Sequence, residues 1–264
     1  MNRPIGVFDS GVGGLTVVKE LVNILPNEKI IYFGDTARVP YGIKSPETVT
    51  KFSLESILFL LEKNVKLVVV ACNTVSSLAL PNIRRYFSIP LVGVIVPGAK
   101  QAVAVSRNKR IGVIATRSTT KSQSYEKEIG KLSPKAKVFS AACPMFVPLV
   151  EEGWLNSKVT EDVAHEYLEP FKKHNIDTLI LGCTHYPLLK GVIRKVLGRD
   201  IALIDSARQV ALEVRQILEE RSICATKGKP KHQFFVSDEP ANFQDLAQAF
   251  LDKAIKDVVK VANV

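Results

Sequence analysis

Apolar and polar positions along the chain fall into two kinds of block. Short, nearly unbroken apolar runs rich in β-branched residues recur at Ile5 to Phe8, Ile30 to Phe33, Leu67 to Ala71, Leu91 to Val96, Ile111 to Ala115, Thr178 to Gly182, Ile201 to Ile204 and Phe234 to Val236. Between most of them lie stretches of helical spacing, as in Thr48 to Lys63, where Phe52, Ile57, Leu60 and Leu61 share one face. Strands that are apolar at nearly every position and alternate with helices specify a parallel sheet covered on both faces. The fold class predicted is α/β.

An internal repeat refines this. Asn64-Val-Lys-Leu-Val-Val-Val-Ala-Cys72 aligns without a gap with Asn175-Ile-Asp-Thr-Leu-Ile-Leu-Gly-Cys183, an offset of 111 residues that makes Cys72 and Cys183 equivalent. Ile5-Gly-Val-Phe-Asp-Ser10 aligns with Ile111-Gly-Val-Ile-Ala-Thr116 at an offset of 106. The helix before the second copy, Val163 to Lys173, carries Leu168 and Phe171 at the positions of Ile57 and Leu60. Two offsets differing by five residues fit one duplicated α/β unit with a small indel, a period too long for a solenoid. The expectation is two pseudo-symmetric parallel-sheet lobes with the active site at their interface. Residues 1–96 with a returning tail, 208–264, form the first lobe and 97–207 the second. The tail reads as a helix (Ala207 to Arg221), a linker, a short strand (Gln233 to Val236) and a final helix (Asn242 to Val259).

Composition narrows the class without naming a partner. At 264 residues the chain holds roughly two units of ordinary size. With 46% hydrophobic residues, 23% charged residues and 15 Gly beside 14 Pro, it is neither disordered, collagenous nor coiled-coil. Leu67 to Cys72 and Leu91 to Pro97 fall far short of the roughly 20 apolar residues a membrane span needs. Met1-Asn2-Arg3-Pro4 runs straight into Ile5 to Phe8 with no signal-peptide apolar region, so a cytosolic protein with four reduced cysteines is expected. The net charge of +10 comes from scattered lysines and arginines. Their densest cluster, Lys227 to His232, contains Gly228 and Pro230 and reads as a linker. No basic stripe is interleaved with aromatics, so no nucleic-acid partner is expected, and the charge serves solubility and the steering of small anions.

The candidate chemistry sits where ligands collect in parallel sheets, beyond the carboxyl ends of strands. Asp9-Ser10, Cys72-Asn73-Thr74, Thr116 and Cys183-Thr184-His185 occupy such ends. Turns into helix N-termini favour carboxylates and lower a thiol pKa from its reference of about 8.5. A lone cysteine at a strand end is usually a small buried hydrophobe, but two at equivalent repeat positions can approach one small ligand from opposite sides. Cys143 and Cys224 match neither position and read as structural, and no Cys-x-x-Cys motif supports a metal site. The turn Gly11-Val-Gly-Gly14 lacks the third glycine of a dinucleotide fingerprint, having Thr16 there, and no Gly-Lys-Ser/Thr follows for a phosphate loop. His185 lies close enough in sequence to tune Cys183, whereas Asp9 is the candidate helper beside Cys72, its repeat partner being Ala115. Pro40-Tyr41-Gly42 reads as a loop able to close over the site.

At these residues the sequence resembles the aspartate/glutamate racemase superfamily and, within it, the glutamate racemases. The motifs are Gly6-Val-Phe-Asp-Ser-Gly-Val-Gly-Gly-Leu15, Gly34-Asp35-Thr36, Pro40-Tyr41-Gly42, Ala71-Cys-Asn-Thr74, Ala115-Thr116 with Thr119, and Gly182-Cys-Thr-His-Tyr-Pro187. Pro40-Tyr41-Gly42 and Cys183-Thr184-His185 together favour glutamate over aspartate or hydantoin as substrate. The resemblance implies interconversion of L- and D-glutamate by two thiols, with no cofactor and no metal. Cys183 would act on L-glutamate and Cys72 on D-glutamate, Asp9 assisting Cys72, and His185 with Glu151 assisting Cys183; Glu152 is a rival to Glu151. Asp9, Ser10, Tyr41, Gly42, Asn73, Thr74, Thr116, Thr119, Thr184 and His185 would hold the substrate. A homodimer supplying D-glutamate for peptidoglycan is also implied. The competing readings are another racemase, isomerase or decarboxylase of the superfamily, and a two-lobed anion-binding protein in which both cysteines are dispensable. A one-cysteine decarboxylase is disfavoured by the presence of both thiols.

Overall fold

The two cysteine-ended strands of the repeat, β3 (Leu67–Val70) and β7 (Thr178–Gly182), belong to separate parallel sheets. The computed structural model describes residues 3–226, 228, 230–255 and 257–261, so Met1-Asn2 of the N-terminal reading and two lysines of the linker, 227 and 229, lie outside the described residues. The chain divides into two compact units, Met1–Val94 with Ala207–Val264, and Ile95–Ser206.

The sheet of the first unit has the order β10-β9-β2-β1-β3-β4, with β1 at Ile5–Asp9, β2 at Ile30–Gly34, β4 at Leu91–Gly93, β9 at Gln233–Val236 and β10 at Val258–Lys260. That of the second has the order β6-β5-β7-β8, with β5 at Arg110–Ala115, β6 at Lys137–Ala142 and β8 at Ala202–Ile204. All pairings are parallel. The order β2-β1-β3-β4 recurs as β6-β5-β7-β8, and the register recurs with it. Ile5 pairs with Leu67 and Ile111 with Thr178, the same positions by the two sequence offsets. The five-residue indel therefore lies between the first and third strand of the duplicated unit.

The repeated asparagines close the helix that precedes each of these strands. Asn64 (φ 56°) and Asn175 (φ 49°) both take the left-handed conformation just after a helix end, where asparagine costs less than most side chains. Helix α2 (Pro46–Glu62), which follows α1 (Leu15–Ile24) and is capped by Ser45, packs Ile57 and Leu60 on Phe8, Val68 and Val70 of the sheet. In the second unit Ile111, Val113 and Ile180 pack with Tyr125 and Ile129. Each fully buried aliphatic side chain of this kind stabilises the fold by about 1.5–3 kcal/mol.

The tail joins the first sheet by pairing β9 with β2, Tyr32 opposite Phe234. Its linker is held by a buried ion pair. Lys66 and Glu28, 4% and 3% exposed, meet at 2.7 Å, while Lys66 also donates to Ile223 O and Glu28 accepts from Ala225 N, each at 2.7 Å.

Two sequence expectations are corrected and one strand is added. The run Leu91 to Val96 is a strand only to Gly93, because the Val94 amide donates to the Ser76 hydroxyl and the helix Ile95–Val105 follows. The final helix runs Pro240–Leu251 and stops at Asp252 (φ 55°); the β-branched Val258 and Val259 then pair with Phe234 and Phe235 as a strand. Strand β6 is an addition: Lys137 and Ser140 interrupt its apolar residues, so it presents no continuous apolar run. Among the described residues no helix is long and apolar enough to cross a membrane.

Candidate active site

Because β1 and β3 pair in register through Phe8 and Val70, the residues just beyond them emerge side by side. Cys72 stands at the cap position of α3 (Asn73–Leu78) in extended backbone, with its Sγ 3.4 Å from the Ser10 hydroxyl. Asp9, fully buried, accepts a hydrogen bond from the Gly11 amide at 2.9 Å. Tyr32 donates to Gly11 O at 2.7 Å. Burial, and then the negative charges of Asp9 and Cys72, push the Tyr32 phenol well above its ordinary range, so it remains a neutral donor beside both groups. Gly14 is required here by space rather than conformation, since a Cβ would stand 2.5 Å from Asp9 Cβ and 3.0 Å from the Tyr32 hydroxyl. Asn73 and Thr74 are buried in the first turn of α3.

The Pro40–Gly42 segment, expected to close over the site, leads through the 3-10 turn Tyr41–Ile43, which packs against α3. Tyr41 is buried and donates its hydroxyl to the carboxylate of Asp35. Burial and the adjacent carboxylate raise the Tyr41 pKa, so this donor too stays protonated.

The other thiol has different surroundings. Cys183 follows β7 directly, and its Sγ lies 3.8 Å from His185 Nδ1, whose ring donates through Nε2 to Glu151 Oε1 at 2.9 Å. Burial of the ring opposes its charge, but hydrogen bonds to Cys183 and Glu151, reinforced by their negative charges, prevail and raise the pKa to about 10. His185 is therefore an imidazolium at neutral pH, a cation 3.8 Å from the Cys183 sulfur. The sequence reading placed this turn at a helix N-terminus. Instead Cys183 leads into the 3-10 turn Tyr186–Leu189, and the α-helix begins only at Lys190. The histidine supplies the local positive charge in place of a helix dipole.

Glu151 ends the helix Phe146–Glu151 with its side chain partly covered and touching His185, whereas Glu152 is its exposed cap residue. Thr116 caps the helix Arg117–Ser122, its hydroxyl 3.1 Å from that of the buried Thr119. Thr184 is buried beside Cys183. Cys143 fits its structural reading: burial, and then the charge of Cys183, push its thiol far up, and its carbonyl accepts from Tyr186 at 2.8 Å. Cys224 is exposed.

The first unit thus brings together Asp9, Ser10, Cys72, Asn73 and Thr74, with Tyr41 packed on the same helix. The second brings together Glu151, Cys183, Thr184 and His185. Tyr32 and Tyr125, unmarked in the sequence, are buried aromatic neighbours that feel the charges of Cys72 and Cys183 respectively. Asp35 carries no assigned role in the sequence; its signal is an acid at a strand end, directly after β2. Among the described residues no three His, Cys, Asp or Glu side chains cluster as a metal site requires.

Comparison with known proteins places this arrangement among relatives. Residues 5–214 match the family model of the Asp/Glu/Hydantoin racemases. The chain is 50% identical to the glutamate racemase of Geobacter metallireducens over 261 residues, 98% of this chain and 97% of that one. The crystal structure of the Francisella tularensis glutamate racemase in complex with D-glutamate matches at 42% identity with a TM-score of 0.93, covering 99% of this chain and 98% of that one. A Bacillus anthracis glutamate racemase matches at 43% identity and a TM-score of 0.95, covering 98% and 97%. With more than two thirds of its length matched and both sheets in common, the chain belongs to the Asp/Glu/Hydantoin racemase family.

Proposed function

We propose that the protein interconverts L- and D-glutamate by two-base chemistry that needs no cofactor. The observation that carries this reading is the pair of cysteines at the same position of a duplicated strand, each beside its own polar helper. Inversion at the α-carbon requires a proton to leave one face and another to arrive on the opposite face. Cys183 as thiolate removes the α-proton of L-glutamate, and Cys72 as thiol delivers a proton to the other face; the reverse direction exchanges the roles. His185, held by Glu151, stabilises the Cys183 thiolate, and Asp9 with Ser10 serves Cys72. Such positioned proton transfer contributes about 10²–10⁴-fold each way, and fixed donors from Ser10, Asn73, Thr74, Thr116, Thr119 and Thr184 hold the charged ends of the substrate. On the family resemblance we further assign the product to peptidoglycan synthesis in the cytosol and the working form to a homodimer.

The test uses purified protein with no added cofactor in deuterated water. Circular dichroism follows loss of optical activity from L-glutamate while mass spectrometry follows α-deuterium incorporation. Racemisation that is abolished in both Cys72→Ser and Cys183→Ser is expected. A wild type without turnover, or undiminished rates in both variants, would falsify the reading.

A further inference from the structure

Asp35 is a buried carboxylate with several hydrogen-bond partners that the proposed reaction does not use. It follows β2 and is fully buried. One carboxylate oxygen, Oδ2, accepts from the Tyr41 hydroxyl and from Arg38 Nε at 2.6 Å; the other, Oδ1, accepts from the Ser237 hydroxyl at 2.9 Å. Its own amide donates to Asp9 O at 3.1 Å. Arg38 continues outward to Glu55 on α2, with its guanidinium 4.2 Å over the Phe52 ring, and the Tyr41 ring lies 5.8 Å from the same ring. The buried carboxylate thus fastens the Tyr41 turn and, through Arg38, α2, while the Asp35 backbone amide holds the Asp9 carbonyl.

Its second anchor comes from the tail. Ser237 follows β9, and its hydroxyl also accepts from the Ala37 amide at 2.9 Å. The Ser237 amide donates to Gly34 O at 3.1 Å, and the Asp238 amide donates to Thr36 Oγ1 at 2.9 Å. These contacts lie beyond residue 214, where the family match ends. They clasp the segment 34–37, from which Asp35 reaches Tyr41.

We propose that Asp35 is a positioning residue of the Cys72 half-reaction, holding the Tyr41 turn against α3 through its buried carboxylate, and that Ser237 of the tail fixes that carboxylate. Asp35 touches neither Cys72 nor the reacting atoms. It acts by keeping the Tyr41 turn packed against α3, whose cap residue is Cys72, and displacements near 1 Å at such supports cost about 10²-fold in rate. The inference rests on the racemase reading.

Enantiomers have equal free energies, so every variant must alter kcat/KM equally in the two directions. A fault at one base is read instead from isotope effects. In Asp35→Asn, kcat/KM falls about ten- to a hundredfold, and the deuterium effect on D-[2-²H]glutamate, whose deuteron Cys72 takes, rises above wild type while that on L-[2-²H]glutamate falls. Ser237→Ala shows the same asymmetry with a smaller loss, about two- to tenfold, and Ser237→Thr restores it. Melting temperatures are measured alongside, and should Asp35→Asn fail to fold, the Ser237 pair carries the test. Wild-type isotope effects in a folded Asp35→Asn or in Ser237→Ala, or activity lost only in proportion to folded protein, overturn the proposal. A wild type that does not racemise overturns the racemase reading itself, before any variant is compared.

Discussion

His185 Nε2 stands 2.9 Å from Glu151 Oε1, and through its other nitrogen the same ring faces Cys183. A carboxylate in that place fixes which edge of the ring meets the thiol and keeps the ring charged, a division of labour in which the acid never needs to touch substrate. Glu151→Gln should lower kcat/KM by about 10- to 100-fold, comparable to the loss of other supporting partners of reactive groups. The alkaline limb of its pH–rate profile should move to lower pH, because the imidazolium loses a stabilising charge. Glu152→Gln, at the exposed cap, should stay within about twofold of wild type. Initial rates from pH 6 to 10.5 on the two variants decide the matter; equal effects at 151 and 152 would remove Glu151 from the arrangement.

The same pair makes stability depend on pH with a definite sign. The pKa of His185 is raised in the folded protein, to about 10 from an ordinary 6.5. Its stabilising contribution is therefore fully present below about pH 6.5 and is lost as pH rises toward and through 10. Urea unfolding at pH 6 and pH 9.5 should show wild type losing stability relative to His185→Gln by an amount on the order of a few kcal/mol. A constant difference between the two proteins across that range would mean that the ring is not charged in the native state.

Space beside Asp9 gives a third expectation. Gly14 has ordinary helical backbone angles, so alanine is conformationally allowed there, yet its Cβ would collide with Asp9 and the Tyr32 hydroxyl. Gly14→Ala should destabilise by about 1–3 kcal/mol and reduce turnover by displacing Asp9. The check is a thermal melt paired with kcat; an unaltered kcat would show that the position of Asp9 is not critical.

The two repeated asparagines predict a matched pair of effects. Asn64→Ala and Asn175→Ala should each cost about 1 kcal/mol, while the glycine substitutions at the same sites should be neutral or mildly stabilising. Urea midpoints of the four variants provide the comparison. If alanine is tolerated at both sites, the asparagines recur for some reason other than backbone conformation.

Much of the α/β framework was legible because its strands are apolar on both faces. Thr178 to Gly182 was read with the bounds the structure has, and Asn64 and Asn175 aligned because each copy needs the same left-handed stop. Where the pattern failed, a local contact decided. Gly93 ends a strand because Ser76 takes the next amide, a contact 18 residues away in sequence that no periodicity reveals. Strand β6 is not marked in the sequence because Lys137 and Ser140 break its apolar run and none of its residues is fully buried. At the site, Cys72 and Cys183 were marked by the repeat, but Tyr32, Tyr125 and the Asp35 to Ser237 contact join residues distant along the chain. Glu151 could be separated from Glu152 only once the helix end showed which carboxylate meets His185.

The tail does something for the first sheet that the second does without. Strand β6, the counterpart of β2, stands at an edge of its sheet and carries Lys137 and Ser140 among its apolar residues, a composition that discourages other strands from adding to it. Strand β2 is Ile-Ile-Tyr-Phe-Gly and has no such protection of its own; β9 pairs along it, and β10 pairs in turn with β9. A chain cut after residue 214 would keep the whole family match and leave that apolar backbone edge open to any extended segment it met. Such a truncation should aggregate more readily than the full chain, which gives the tail a role apart from any demand of catalysis.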